Sequence, residues 1–256
     1  MTTTPDNPSE PLPPGAPQRE STTEPAACAA PARDRQWRDM PAAARGHTTA
    51  TLYEASGMDI ALDPGLRPAW PGARLAGPAF TVRGTGGDNL ALHRAVATAP
   101  AGHVLVADHH GAQHGHWGEI LAVAAQVRGL PGLVIDGAVR DVDELRRLGF
   151  PVFARGISIT RTGKKHPGIL GVPITIGGVQ IDKGDLVVAD SDGAVAIPAS
   201  HIQRVLDASD TRTATERCHL QAIRAGATTL QLYGLGRPPP GSSATSPERS
   251  VPSPRR

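Results

Sequence analysis

Two short apolar runs, residues 103–107 (HVLVA) and 132–136 (GLVID), flank a helical segment at 117–128 that stops at Gly129. Runs this continuous read as strands buried on both faces, and two of them joined by a crossing helix imply a parallel β-α-β unit. That unit places the chain in the α/β class and says where a site would form. The segments after the two strands, 108–118 and 137–141, leave the sheet at the same carboxyl edge, where ligands of open α/β sheets collect.

The remaining segments fill in an architecture. Residues 48–56 (TTATLYEAS) begin with hydroxyls that cap a helix, and Gly57 stops it. Residues 78–83 (PAFTVR) form a strand closed by the turn 84–87 (GTGG), after which Asp88 serves as N-cap for a helix over 89–98. A helix at 141–148 stops at Gly149, and 151–154 is the next strand. From 172 to 198 the texture changes to VPITI, GVQI, DLVVAD and GAVAIP, separated by glycine- and aspartate-rich turns that read as hairpins. Ser200 is expected to cap a helix reaching about Ala225. The expected fold is α/β: a central mixed, largely parallel layer, an antiparallel β block and flanking helices.

Prolines crowd residues 1–36 and 238–256 with almost no large apolar residue beside them. Residues 1–36 and 237–256 therefore read as disordered tails, leaving 37–236 as one domain of about 200 residues. Aromatic residues make up only 3% of the chain, so the core must be built from Ala, Val, Leu and Ile. With 26 basic residues against 24 acidic ones, the +2 charge argues against a protein that grips a nucleic-acid backbone. No apolar stretch approaches the roughly 20 residues of a membrane span, and residues 1–21 contain no apolar run of the signal-peptide kind. A cytoplasmic protein without membrane or nucleic-acid partners is expected. Cys28 and Cys218 alone supply neither a disulfide framework nor a thiolate metal cage.

At the shared carboxyl edge the first segment offers Glu119, and the second offers Arg140 and Asp141. The amides of residues 117–121 face the same way, because the first four N–H groups of a helix lack internal acceptors. A carboxylate pair, a guanidinium and free amides suit a hydrated divalent cation with an anionic substrate. The same residues are also what ordinary helix starts prefer, so both readings stand at this point. His109, His110, His114 and His116 are close enough in sequence to suggest Zn²⁺. They lie in a Gly-rich stretch read as a loop, without the helical spacing of H-E-x-x-H, so substrate-loop or solvated histidines are the competing readings. The turn GTGGDN lacks the G-x-G-x-x-G spacing, Lys164-Lys165-His166 reads as a solvated loop, and no G-x-S-x-G elbow is present.

The segments GDNLA (87–91), GEIL (118–121), VIDGAVRD (134–141), GFPVFARG (149–156) and KGDLVVADSDG (183–193) together resemble the RraA-like family. That family includes 4-hydroxy-4-methyl-2-oxoglutarate/4-carboxy-4-hydroxy-2-oxoadipate aldolases and regulators of RNase E activity, on a swivelling β/β/α domain. Its aldolase branch carries an acidic residue, twenty intervening positions and then Arg-Asp, a spacing that Glu119 and Arg140-Asp141 satisfy. The resemblance implies a lyase in which Asp141 holds Mg²⁺ or Mn²⁺ directly and Glu119 holds it through water. Arg140 then contacts the pyruvate end of a 2-oxo acid, and the stretch Gly115, Trp117, Gly118, Glu119, Ile120 and Leu121 holds its carboxylate. It further implies that Glu54 and Glu216 reach the site from a neighbouring subunit of a homotrimer or homohexamer. Pyruvate release by aldol cleavage, with oxaloacetate decarboxylation beside it, is the expected activity, its base a water relayed by Glu119 or Glu216. The alternatives are a ribonuclease-binding protein without catalysis and a zinc hydrolase built on the histidines.

Overall fold

The computed structural model describes residues 42–235; the tails expected at 1–36 and 237–256 lie outside the described residues. Thr48 caps α1 (Thr49–Ser56) by accepting the Thr51 N–H, and Gly57 ends it in the left-handed conformation that a residue without Cβ adopts freely. After the short β1 (Arg67–Pro68) comes β2 (Leu75–Arg83), which begins earlier than PAFTVR indicates because Leu75–Pro78 pair antiparallel with a later strand. In the next turn the Asp88 Oδ1 accepts the Leu90 N–H at 2.9 Å at the start of α2 (Leu90–Thr98), but the N-cap position belongs to Asn89 and not, as expected, to Asp88. Then β3 (Val104–Gly115), α3 (Glu119–Val127) and β4 (Leu133–Val139) form the expected β-α-β unit. It continues through α4 (Val142–Leu148) into β5 (Val152–Ile157).

The second half is strand-rich, as its turns require. β6 (Ile169–Leu170) is followed by the hairpin of β7 (Ile174–Ile176) and β8 (Val179–Ile181), then by the hairpin of β9 (Leu186–Ala189) and β10 (Ala194–Ile197). α5 (Ile202–Arg224) and the single turn α6 (Thr229–Leu232) close the described chain. The main sheet has the order β1-β5-β4-β3-β2-β9-β10, with β6 on the end of β2. Pairing is parallel from β2 through β5 and antiparallel outside. No helix of the described residues is long and apolar enough to cross a membrane.

Two further local expectations are corrected. Residues 108–115, read as loop, continue β3: register shifts at Asp108/Ala112 and Ala112/Gly115, with His110 and Gly111 at φ 55° and 68°, bulge the strand without ending it. Bulges break the two-residue alternation that would mark a strand in sequence. Ser200 does not cap the last long helix; residues 199–201 form a 3₁₀ turn, and the Ser200 hydroxyl lies 3.0 Å from His201 Nδ1.

Three apolar layers hold this together. Helices α2 to α4 cover one face of the parallel strands through Leu92, Trp117, Leu133 and Phe150. Leu66, Phe153, Ile174 and Val187 fill the other face, while Leu52, Ile197 and Val205 join α1 and α5 to the β9–β10 hairpin. Asp190, in that hairpin's turn, accepts the Thr49 N–H (2.9 Å), the Thr49 hydroxyl (2.7 Å) and the Asp192 N–H (3.0 Å). Asp190→Ala strands buried donors at the start of α1. We expect it to lower the unfolding free energy by about 2–4 kcal/mol in urea titration, without loss of secondary structure in the circular dichroism spectrum.

Candidate active site

At the end of β4 the chain turns sharply into α4 through Asp141, which takes the left-handed conformation (φ 57°, ψ 42°). That conformation costs an L-residue about 1–2 kcal/mol, and Asp is among the few that visit it. Although Asp141 occupies the N-cap position of α4, its carboxylate makes no bond to that helix. Oδ2 instead accepts the N–H of Glu119, at 3.0 Å, and so caps α3. The Arg140 N–H donates to the Trp117 carbonyl at 2.8 Å, and Arg140 Nε lies 3.5 Å from the same Asp141 Oδ2. Two glycines permit this approach: a Cβ on Gly118 would stand 2.2 Å from Asp141 Oδ2, and one on Gly115 only 2.6 Å from the Ser158 carbonyl.

Beside this joint lies a hollow of about 240 Å³. Of the residues the sequence singled out, Gly115, Gly118, Ile120, Leu121, Arg140 and Asp141 line it. With the Glu119 N–H taken by Asp141, the N–H groups of Ile120 and Leu121 remain without a protein acceptor among the described residues. Unpaired amides at a helix start favour an anion. So does the charge of the wall, where Arg140, Arg161 and Lys164 face one carboxylate, Asp141.

Arg161 was not singled out in the sequence, and Lys164, read there as part of a solvated loop, lines the hollow. Asp88, read only as a cap, is the signal that could have found this side of the wall. Its Oδ2 also accepts the Lys165 N–H at 2.6 Å, and the Gly163 N–H bonds the Gly87 carbonyl at 2.7 Å, so the 161–165 loop is laced to the turn after β2. Burial pushes the Asp88 carboxyl up, but the N–H groups of Lys165, Leu90 and His166 outweigh it and hold it below the ordinary carboxylate range. The neighbouring Asn89 lines the hollow with a buried Oδ1 that has no partner, while its Nδ2 donates to the His116 carbonyl at 3.0 Å. Burial, and then the charge of Lys164, lowers the affinity of His93 for a proton.

Other expected site residues lie elsewhere. The Trp117 side chain is wholly buried and stacks on Phe150 at 5.8 Å, so only its carbonyl serves the joint. A large apolar ring beside the α3–α4 core gains more from burial than from a polar wall. Glu119 stands exposed in the first turn of α3, and its side chain is not part of the lining. Glu54 and Glu216 meet over Arg212, which contacts Glu54 and places its Nε 2.8 Å from Glu216 Oε1, on the α1–α5 pair. That group takes no part in lining the hollow of its own chain.

His109, His110 and His114 belong to the irregular half of β3 and His116 follows it directly; of the four, His110 is the exposed one, as a solvated histidine would be. His109 and His116 are fully buried with ring centroids 4.5 Å apart, and no group of three or more metal-binding side chains occurs among the described residues. The zinc cage is thereby withdrawn. Both ring nitrogens of His109 lack partners, and burial, followed by His116 and His110, drives its pKa to about 3.

An α/β sheet with its hollow at the carboxyl edge, and Arg140-Asp141 against the start of α3, defines the class. The chain belongs to the RraA-like family, whose profile (Aldolase/RraA) matches residues 49–196. It is 35% identical over 169 residues to a protein of Halalkalibacterium halodurans named "Putative 4-hydroxy-4-methyl-2-oxoglutarate aldolase", spanning 66% of this chain and 80% of that one. Among solved structures it resembles an uncharacterized Pseudomonas syringae protein (TM-score 0.71, 31% identity, 77% of this chain and 94% of that one). It also resembles the RNA-processing inhibitor RraA from Thermus thermophilis (TM-score 0.55, 30% identity, 59% and 92%).

Two outcomes follow from this geometry. Gly118→Ala sets a methyl against Asp141 Oδ2, so the joint must open. Exchange of the Glu119 amide is expected to quicken by tenfold or more (about 1.4 kcal/mol), measured by hydrogen exchange, while the far core keeps its melting transition. For His109 the folded pKa lies below the unfolded value, so the unfolded chain binds more protons between pH 6.5 and about 3. Its contribution is therefore lost progressively as pH falls through that window. His109→Leu breaks no hydrogen bond, so its stability relative to the native chain should rise as pH drops from 7 to 4 in paired urea titrations.

Proposed function

We propose that the protein is a divalent-metal-dependent pyruvate aldolase. It cleaves 4-hydroxy-4-methyl-2-oxoglutarate or a related 4-hydroxy-2-oxo acid to pyruvate and a second 2-oxo acid, and it decarboxylates oxaloacetate. The observation that carries this reading is the convergence of Arg140, Asp141 and the unpaired Ile120 and Leu121 amides on one hollow.

The donor set fits a hydrated hard cation and not a closed cage. Asp141 gives one oxygen to the Glu119 N–H and to Arg140, which leaves Oδ1 without a protein partner. One direct carboxylate, with water and substrate oxygens completing the shell, is the habit of Mg²⁺ and suits Mn²⁺. Asp141 would hold such an ion directly and Glu119 through water, and the ion would supply Lewis-acid stabilisation of negative charge on the substrate's keto oxygen.

The chain's own residues account for the rest. Arg140 pairs with the pyruvate end of the substrate, and the Ile120 and Leu121 amides take its carboxylate, in a wall that already favours anions. A base removes the proton of the 4-hydroxyl; C3–C4 breaks, C4 becomes a ketone, and the electron pair moves into the pyruvate fragment as an enolate that is then protonated at C3. In oxaloacetate the broken bond releases CO₂ and leaves the same enolate. Arg140 lowers the energy of both because its charge is fixed before the oxyanion forms. The base is a water relayed by Glu119 or by Glu216. Glu54 and Glu216 serve from a neighbouring subunit of a homotrimer or homohexamer. Their cluster with Arg212 carries one net negative charge and complements the cationic hollow.

Pyruvate formation from both substrates, followed by a coupled dehydrogenase, tests the proposal. Activity should require Mg²⁺ or Mn²⁺, vanish with EDTA or Asp141→Ala, and fall about 10²–10³-fold in Arg140→Ala. Turnover that persists in EDTA and in Asp141→Ala refutes it. The likeness to an RNA-processing inhibitor favours a second reading, a ribonuclease-binding protein. Co-purification with an RNase, unaffected by Asp141→Ala, would favour that one.

A further inference from the structure

The proposed mechanism gives no role to His116, a buried histidine in the wall of the hollow whose ring makes two hydrogen bonds. Its ring accepts the Gly87 N–H at Nε2 (3.1 Å) and faces the Ala138 carbonyl through Nδ1 (3.3 Å). A nitrogen that accepts an N–H carries no proton, so the proton is on Nδ1, the ring is neutral, and Nδ1–H donates to Ala138. The backbone repeats the link: His116 N–H donates to the Ala138 carbonyl (3.1 Å), and the His116 carbonyl receives Asn89 Nδ2 (3.0 Å).

These bonds tie three separate segments. Gly87 and Asn89 belong to the turn after β2, His116 to the end of β3, and Ala138 stands two residues before Arg140 in β4. Asn89, His116 and Arg140 all line the hollow. The charged and titratable groups around the ring are His109 at 4.5 Å and His114 at 5.9 Å between centroids, Asp88 in the β2 turn, and Arg140 and Lys164 across the hollow.

We infer that His116, as a neutral Nδ1–H imidazole, is a positioning residue that sets Asn89 and Arg140 relative to each other by bonding the Gly87 amide and the Ala138 carbonyl at once. It acts through those two residues, Asn89 and Arg140. The inference rests on the proposed lyase for its catalytic consequence, but its structural content is independent of it. A protonated ring would lose the Gly87 bond, because both nitrogens would then be donors. Burial comes first among the forces that hold the ring neutral, with the charge of His114 acting in the same direction.

Two substitutions divide the bonds. In His116→Gln the side-chain oxygen reaches about as far as Nε2 and accepts the Gly87 N–H. In His116→Asn the amide reaches only as far as Nδ1, so it serves Ala138 alone. Long-range ¹H–¹⁵N spectra of the native chain should show Nδ1 protonated and Nε2 bare from pH 8 to 6. Hydrogen exchange of the Gly87 amide should stay slow in the Gln variant and quicken at least tenfold in the Asn variant. The kcat for pyruvate release should follow that order, within about threefold of native for Gln and down tenfold or more for Asn, and any part of the native acid limb that comes from protonation of the ring should be absent from both variants. An Nε2–H tautomer, a charged ring in that pH range, or equal Gly87 exchange in both variants overturns the inference. If the native chain releases no pyruvate, the lyase reading fails, while the tautomer and exchange results still decide the role of His116.

Discussion

The bond from the Glu119 N–H to the Asp141 carboxylate joins the exits of two neighbouring parallel strands, and most of the hollow's shape depends on it. An N-cap residue ordinarily serves its own helix. Asp141 is turned away from α4 by its left-handed backbone and serves α3 instead, at the place where the dipole of that helix favours a negative charge. The strain is small and local, and it is offset by a charge-assisted hydrogen bond. With the first amide of α3 occupied by the protein, the next two are left facing the hollow. The glycine at 118 is the complement of this contact, since any side chain there would occupy the carboxylate's place.

Charge then distinguishes two regions of the molecule. The hollow gathers Arg140, Arg161 and Lys164 around one aspartate, while the α1–α5 pair presents Glu54 and Glu216 around one arginine. Neither arrangement contributes much to stability, because exposed ion pairs are worth little. Stability comes from the three apolar layers and from buried contacts such as Asp190 with Thr49. The polar groups at the carboxyl edge are therefore free to be arranged for a ligand and not for the fold.

Much of this was legible in the sequence, and the part that was not has physical causes. The parallel unit could be read because strands buried on both faces leave an unbroken apolar signature, and α1 because Thr48 and Gly57 obey ordinary capping chemistry. Arg140, Asp141 and Gly118 were found by position relative to that unit. The contribution of Asn89, Arg161 and Lys164 was not, because it depends on one carboxylate, Asp88, bonding across 77 residues of chain. Local sequence shows Asp88 beside a helix start, where it does accept the Leu90 N–H, and carries no trace of the second bond. Trp117 misled for a related reason: its backbone faces the site while its ring belongs to the core.

The bulged half of β3 shows why a site wall would be built from neutral imidazoles. A segment that leaves regular pairing must satisfy its backbone groups otherwise, and His116 does so with a ring that both donates and accepts. A lysine or arginine could only donate, and would add charge to a wall that already holds three cations. A carboxylate could only accept, and would cancel part of the attraction for an anionic ligand. A neutral imidazole meets both backbone requirements at zero charge, with its donor and its acceptor held apart on one rigid ring, and burial beside His109 and His114 keeps it in that state. Of the histidines that suggest a metal cage in the linear sequence, one ring, His116, is in the folded chain the means by which an irregular segment is tied in place beside a charged cavity.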